Sequence, residues 1–158
     1  MQKPTKSIRE LLTAKRSDTA GVIRVAPEDT VLSALKLMKE KNVGAVLVLE
    51  SGRAVGILTE RDYARKVEIE DKAAKDTAVR EIMTSDRLVY VTPTDTIDRC
   101  RAIFREYGFR HLSVYEDNKP VGVLSIRDIL EEIILEEEHL IHGLENDRLM
   151  STTYIGSY

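Results

Sequence analysis

Residues 22–62 read VIRVAPEDTVLSALKLMKEKNVGAVLVLESGRAVGILTERD, and residues 88–128 repeat this pattern without a gap. Twelve of the forty-one aligned positions hold the same residue, far more than unrelated sequences share by chance. Self-similarity at a fixed period is typical of units that bury their apolar faces against each other. Both copies also end alike, in GILTERD at residues 56–62 and GVLSIRD at residues 122–128. A duplicated fold with a duplicated polar end favours two related binding sites over a single catalytic centre.

The composition indicates a soluble globular protein with no electrostatic preference for nucleic acid or membranes. The chain has 158 residues, of which 42% are hydrophobic and 32% charged, and its net charge is −3. A unit of about 60 residues would be only marginally stable alone, so the two copies are expected to share an interface. A slightly acidic protein is not attracted to phosphate backbones or anionic lipids by bulk charge. We therefore expect neither a nucleic-acid partner nor a membrane.

The sequence shows no recognisable targeting segment and has a single cysteine, so we expect the protein in the cytoplasm. No apolar run approaches the ~20 residues that a membrane span needs. The N-terminal residues are not followed by the apolar segment of a signal peptide. Cys100 is the only cysteine, which excludes an internal disulfide and a multi-cysteine metal site.

Hydrophobic periodicity predicts an α/β fold with a β-α-β-β-α order in each copy. In the first copy, strands are expected at 22–25, 44–49 and 54–59, and helices at 31–38 and 60–67. The second copy is expected to follow with strands at 88–91, 111–115 and 121–125 and a helix at 97–107. A short capped helix should precede each copy, at 8–12 and 77–84. The last helix starts at Ile126 and should reach Leu144 or beyond.

The repeated polar ends contain Thr59-x-x-Asp62 and Ser125-x-x-Asp128. In each, a hydroxyl can cap the next helix, whose first backbone N–H groups favour an anion. The carboxylate can accept two hydrogen bonds from a ribose diol, and Arg61 or Arg127 can reach a phosphate. A simple capping box is the alternative explanation for one such sequence. Two copies at equivalent positions favour a binding role.

These residues resemble the cystathionine-β-synthase (CBS) domain family, and the two copies resemble a complete tandem CBS module with pseudo-twofold symmetry. The resemblance covers roughly residues 7–130. It rests on the helix start Pro-x-x-Thr-[Val/Ile], the strands GAVLV at 44–48 and RHLSV at 110–114, and the ending Gly-h-h-[Thr/Ser]-x-Arg-Asp, where h is apolar. It divides the chain into a first repeat at 7–67, a connector at 68–76, a second repeat at 77–138, and a C-terminal helix and tail at 139–158.

The resemblance implies a non-enzymatic regulatory module that binds adenosine-containing ligands in clefts between the repeats. AMP, ATP or NAD are the expected ligands, S-adenosylmethionine is less expected, and no metal is required. Asp62 and Asp128 would hold the ribose. The phosphates would be held by Thr59, Arg61, Arg110, His111, Ser125 and Arg127.

The two clefts are expected to differ. The Asp128 cleft can gather Arg110 and His111, whereas the first repeat has Gly44 and Ala45 at the matching place. The Asp128 cleft should therefore prefer ligands with more phosphate, although a shared Arg110 would reduce the difference. Adenine in the Asp128 cleft would lie against Ile23, Ala34, Val43, Gly44 and Ala45, and adenine in the Asp62 cleft would lie against Val89, Cys100, Phe109 and Arg110. Ordinary core packing is the alternative for the apolar members of these sets.

The sequence also bears on partners and on competing functions. Apolar residues along the last helix predict a homodimer; they are Ile129, Ile133, Leu140, Ile141 and Leu144. The regulated protein is not identifiable from the chain. The main alternative is a protein-interaction module whose nucleotide clefts are vestigial. An enzyme is disfavoured because the sequence has no phosphate loop, acidic metal cluster or identifiable nucleophile.

Overall fold

The computed structural model describes residues 6–16, 22–86 and 88–153. Each copy has the β-α-β-β-α order that the sequence predicts, and a short helix precedes each. The elements are α1 (Ile8–Arg16), β1 (Arg24–Val25), α2 (Val31–Lys41), β2 (Ala45–Glu50), β3 (Arg53–Thr59), α3 (Glu60–Tyr63), α4 (Val79–Ile82), β4 (Tyr90–Val91), α5 (Ile97–Tyr107), β5 (His111–Glu116), β6 (Lys119–Ser125) and α6 (Ile126–Thr153). A π-helical turn, Ala64–Glu68, continues α3.

The strands form two equivalent three-stranded sheets, ordered β1-β2-β3 and β4-β5-β6. In each sheet the first strand pairs parallel with the second, and the second and third form an antiparallel hairpin. Both central residues of each hairpin turn have positive φ, at Ser51 and Gly52 and at Asp117 and Asn118. Such turns match the twist of the paired strands.

Helices α2 and α5 start and stop through the same local chemistry. The hydroxyl of Thr30 accepts a hydrogen bond from Ser33 N, and that of Thr96 accepts one from Arg99 N. Threonine is favoured at this position because it satisfies a backbone N–H that the helix leaves unpaired. Asn42 and Gly108 end the helices in the left-handed conformation, which turns the chain into β2 and β5.

The two hydrophobic cores exchange their leading segments, residues 7–16 and 78–84. Ile8, Leu11 and Leu12 of α1 lie in the core of the second copy, and Ser7 bridges to Thr96. Conversely, α4 lies in the core of the first copy, where Val79 N donates to the carbonyl of Asp29. The boundaries at 7–67 and 77–138 therefore describe the sequence repeat, whereas each core is completed from outside its own repeat.

Gly56 and Gly122 let the leading segments lie directly on the sheets. A Cβ atom at Gly56 would lie 2.7 Å from Met83 Sδ and 3.1 Å from the Thr84 carbonyl oxygen. A Cβ atom at Gly122 would lie 2.7 Å from Leu12 Cδ2. This close approach explains why glycine occurs at the same place in both copies.

Helix α6 contributes to the second core near its start, and its later apolar residues lie on the surface. Ile129 is 1% exposed and Ile133 packs against the second core, whereas Leu140, Ile141 and Leu144 are exposed. The apolar residues predicted to form one stripe thus divide between the protein core and a free helix face. Within the described residues, no helix is long and apolar enough to cross a membrane.

We predict that Ile8→Ala destabilises the protein although position 8 lies far from the second core in sequence. Removing a fully buried isoleucine should lower the free energy of unfolding by about 2–4 kcal/mol in urea denaturation. Amide hydrogen exchange should accelerate more in β5 than in β2. Thr13→Ala, on the exposed side of the same helix, is the control. Equal acceleration in both sheets, or a loss no larger than that of the control, would contradict the exchange of leading segments.

Candidate functional site

Two clefts of about 620 Å³ each are lined by residues of both copies. This volume lies within the usual range of small-molecule sites. One cleft contains Asp128 and the other Asp62, and we name them after these residues. Four residues line both clefts and form their shared wall, namely Gly44, Glu60, Arg110 and His111.

Asp62 is held by a complete capping box in the Asp62 cleft. Its Oδ2 accepts hydrogen bonds from Thr59 N at 3.0 Å and from Thr59 Oγ1 at 2.8 Å. Its Oδ1 accepts from Thr84 Oγ1 at 3.3 Å and pairs with Lys66 Nζ at 2.8 Å. The carboxylate is buried, and its charge is balanced by these donors. A ribose would have to share Oδ1 with Thr84 and Lys66.

Asp128 occupies the equivalent position with a different partner. Its Oδ2 accepts from Ser125 N at 2.7 Å and from Lys15 Nζ at 2.7 Å. Lys15 belongs to α1 and also donates to the Val123 carbonyl. Among the described residues, no hydrogen bond reaches Asp128 Oδ1, so this oxygen can accept from a diol.

The capping interpretation is confirmed in both copies, and it constrains the predicted phosphate roles. Thr59 donates its hydroxyl hydrogen to Asp62 and would have to rotate to reach a phosphate. Ser125 Oγ accepts from Asp128 N at 3.2 Å, and across residues 6–16, 22–86 and 88–153 it has no acceptor for its own hydrogen. The Ser125 hydroxyl therefore retains a hydrogen that it could donate.

The arginines after the two hydroxyl residues differ in their contacts. Arg61 lines the Asp62 cleft and has no ion-pair partner in the described part of the chain. Arg127 lines the Asp128 cleft, but its side chain is 85% exposed and its Nε lies 2.9 Å from Glu131 Oε1. Arg127 is therefore already neutralised by a neighbour on its own helix.

Most of the predicted adenine-pocket residues line the expected cleft. Ile23, Val43, Gly44 and Ala45 line the Asp128 cleft. Val89, Phe109 and Arg110 line the Asp62 cleft. Phe109 stacks on Tyr107 with the ring centres 5.5 Å apart, which supports a flat apolar wall.

Ala34 and Cys100 are corrections to the predicted pocket. Both are completely buried, in the first and second cores respectively, and neither lines a cleft. They occupy equivalent positions on the core faces of α2 and α5. Burial raises the pKa of the Cys100 thiol to about 11, so the thiol stays protonated near neutral pH.

His111 lies on the shared wall, and its pKa is below the ordinary value of 6.5. Burial is the main cause, and the positive charges of Lys15 and Arg110 act in the same direction. Asp128 and Asp62 oppose the shift without cancelling it. His111 is therefore neutral at pH 7. It can contribute positive charge to an anion site only in more acidic solution or when an anion raises its pKa.

Eight polar residues that line the clefts were not identified from the sequence; they are Lys15, Asn42, Glu60, Arg65, Lys66, Thr84, Ser113 and Glu131. Lys66 could have been found, since it follows Asp62 by four residues and therefore lies on the same helical face. Lys15 and Thr84 could not, because they reach the aspartates only through the exchanged leading segments. Arg65 follows Arg61 by four residues, and the sequence offered the same signal for it.

We predict that the NMR titration midpoint of His111 lies below 6.5 and rises toward that value in Lys15→Met, because one nearby positive charge is lost. Since the folded-state pKa is below the unfolded one, His111 contributes stability above pH 6.5, and this is lost as the pH falls through the folded pKa. Lys39→Met, on the exposed face of α2, should leave the midpoint unchanged. A midpoint above 6.5 in the wild-type protein would be inconsistent with this electrostatic environment.

The family model and the similar proteins all point to the same family. The CBS domain family matches residues 8–69 and 79–135. The chain is 35% identical over 121 residues to the mitochondrial CBS domain-containing protein CBSX3 of Arabidopsis thaliana. That alignment covers 74% of this chain and 59% of the relative, so the chain spans less than two thirds of its length.

Solved structures share the fold. A CBS-domain protein from Burkholderia ambifaria MC40-6, provisionally assigned to signal transduction, is 39% identical with a TM-score of 0.76, covering 82% of this chain and 95% of its own. The CBS domain pair of protein MJ0100, solved with 5′-methylthioadenosine and S-adenosyl-L-methionine, has a TM-score of 0.69 at 21% identity and covers 81% and 95% of the two chains. The two matched repeats, the duplicated sheets and the paired clefts together show that this chain belongs to the CBS domain family and contains a tandem CBS pair.

Proposed function

We propose that the chain is a non-catalytic regulatory module that binds adenosine-containing ligands in its two clefts. The observation that carries the proposal is the equivalent placement of Asp62 and Asp128. Each is fixed by its own helix cap, and each lines a cleft large enough for a nucleoside. A pre-oriented carboxylate can bind a ribose diol without first being ordered, which lowers the entropic cost of binding.

The cleft walls suit the remaining parts of such a ligand. Apolar residues from the other copy offer a surface for a flat base, such as Ile23 and Val43 beside Asp128. Arginines at the rim can pair with phosphates. The ligands of protein MJ0100 both contain adenosine, which supports adenosine as the recognised moiety. AMP, ATP and NAD are the candidates we favour, ahead of S-adenosylmethionine.

Regulation requires a ligand that binds two conformations of the module with different affinity. Each cleft is lined by both copies, so a ligand that contacts both walls would favour one relative orientation of the copies. The regulated partner would sense that orientation. A ligand that bound both orientations equally would shift nothing.

The direct test is thermal unfolding with adenosine, AMP, ATP, NAD and S-adenosylmethionine. A ligand at a hundred times its dissociation constant should stabilise the native state by about 2.7 kcal/mol. Guanosine compounds serve as controls for the base. The absence of stabilisation by every adenosine compound would favour the alternative, a protein-interaction module with vestigial clefts.

We predict that Asp128→Ala weakens nucleotide binding in the Asp128 cleft while the protein stays folded. Loss of hydrogen bonds to a charged acceptor should cost on the order of 1.5–3 kcal/mol, or about ten- to a hundredfold in affinity by calorimetry. Asp128→Asn removes the negative charge and keeps the side-chain shape, so it distinguishes the effect of the charge from the effect of the helix cap. Asp98→Ala, in the exposed first turn of α5, is the matched control. Unchanged affinity with the Asp128 cleft still occupied would refute the ribose role.

We also propose a homodimer that uses α6. Leu130, Ile134, Ile141 and Leu144 are exposed and recur at the spacing of one helical face. A helix face with this much exposed apolar surface is typical of a contact with another chain. The partner we propose is a second copy of this chain.

Leu144→Asp should shift the protein toward the monomer in analytical ultracentrifugation at micromolar concentration, because a charge would be placed in the apolar contact. Asn146→Asp adds the same charge two residues away and should leave the dimer intact. If the wild-type protein sediments as a monomer with and without nucleotide, the homodimer is wrong.

A further inference from the structure

The rims of the two clefts carry opposite charges at equivalent positions. Because the copies align without a gap, Arg65 corresponds to Glu131, and each lines its own cleft. Lys66 corresponds to Glu132, which lies outside the lining of the Asp128 cleft. Among charged residues, the Asp62 cleft is lined by four cations and two carboxylates, and the Asp128 cleft by three of each. His111 lines both clefts and is neutral at pH 7, so it does not change this difference.

In the Asp128 cleft two of the three cations have carboxylate partners. Lys15 pairs with Asp128 at 2.7 Å, and Arg127 pairs with Glu131 at 2.9 Å. Glu132, the counterpart of Lys66, is 6% exposed and pairs with Lys6 at 2.7 Å. The Asp128 cleft therefore has equal numbers of positive and negative charges, and Arg110 is its one cation without a carboxylate partner among the described residues.

In the Asp62 cleft two arginines lie unpaired on one helical face. Arg61 and Arg65 are four residues apart, so their charges repel. Neither has a carboxylate partner within the ranges 6–16, 22–86 and 88–153, and the same holds for Arg110 on the shared wall. Three guanidinium groups around one cleft, with only Lys66 neutralised by Asp62, leave an excess of positive charge that a polyanion would compensate.

The backbone conformation beside the two clefts also differs. Arg65 and Lys66 lie in the π-helical turn that follows α3, whereas Glu131 and Glu132 lie in regular α-helix. Within this turn Lys66 Nζ reaches both Asp62 Oδ1 and, at 2.7 Å, the carbonyl of Ile82. Lys66 is thus held at the aspartate, and Arg61 and Arg65 remain available at the rim. A π-helical turn is uncommon and occurs frequently at functional sites.

We propose that the Asp62 cleft is the polyphosphate site, taking a nucleoside di- or triphosphate, and that the Asp128 cleft takes an adenosine ligand with little negative charge. The adenosine part rests on the proposed function, whereas the polyanion part rests on the charges of the rim. This order is the reverse of the one expected from Arg110 and His111. Both of those residues line both clefts, so they cannot distinguish them.

The reciprocal variants Arg65→Glu and Glu131→Arg test the proposal by exchanging the two rims. Binding of adenosine, AMP, ATP and inorganic tripolyphosphate is followed by amide NMR titration of the full chain. Gly108 reports on the Asp62 cleft and Gly122 on the Asp128 cleft, since each glycine lines one cleft only. Lys36→Glu, an exposed change of the same charge outside both clefts, is the control.

In the wild-type protein, ATP should bind the Asp62 cleft on the order of tenfold more tightly than AMP, and the Asp128 cleft should show little preference. Arg65→Glu should abolish the preference and leave adenosine binding unchanged. Glu131→Arg should create a preference for ATP in the Asp128 cleft. The control should reproduce the wild-type values.

A preference for ATP that is equal in both clefts, greater in the Asp128 cleft, or unchanged in Arg65→Glu would overturn the proposal even if nucleotides bind. If no adenosine compound shifts either reporter, the proposed function is wrong. The titration with tripolyphosphate then tests separately whether the Asp62 cleft binds a polyanion. Shifts of Gly108 with tripolyphosphate that are lost in Arg65→Glu would support polyanion binding in the Asp62 cleft. No shift at Gly108 would overturn it as well.

Discussion

The exchange of leading segments is the constraint on which the rest of this structure depends. Neither core is complete within its own repeat, because α1 closes the second core and α4 closes the first. The two copies must therefore fold against each other, and their clefts form at the junction. The same exchange brings Lys15 to Asp128 and Thr84 to Asp62. Folding and site assembly thus use the same contacts.

The cleft aspartates serve the helix caps as well as the clefts. Each carboxylate accepts a hydrogen bond from the backbone N–H of its capping residue, and the backbone N–H of each aspartate donates to the capping hydroxyl. Such a residue is fixed by the fold, which makes it a rigid acceptor for a ligand. Because structure and binding draw on one side chain, a substitution there affects both properties. Asparagine variants are more informative than alanine variants for this reason.

Local patterns predicted the repeated part of the structure well. The hairpins, the capped helices and the order of elements follow from alternation, helical spacing and turn residues, all of which act within a few residues. The resemblance to CBS domains implied that Asp62, Arg61, Asp128 and Ser125 lie at the clefts, and all four line them. Sequence predicted the positions of these residues because each is fixed by its own strand end.

Long-range contacts account for most of what the sequence did not predict. Lys15 reaches its aspartate across more than a hundred residues, and no local pattern indicates that α1 packs against the second copy. Ala34 and Cys100 were misplaced because a small residue on a helix fits a ligand wall and a tight core equally well. The π-helical turn after α3 also had no signal in the sequence, since the hydrogen-bond register there depends on packing.

The shared wall has a thermodynamic consequence for the molecule as a whole. Arg110 and His111 contribute to both clefts, so an anion in one cleft alters the electrostatic field in the other. Thermodynamic linkage makes this effect reciprocal: the first ligand changes the affinity for the second by the same factor as the second changes the affinity for the first. Whenever both clefts hold an anion, the two ligands would compete for the one Arg110 guanidinium and bind with negative cooperativity, and the response would spread over a wider concentration range than a single site allows. The duplication would then serve graded sensing instead of an abrupt switch.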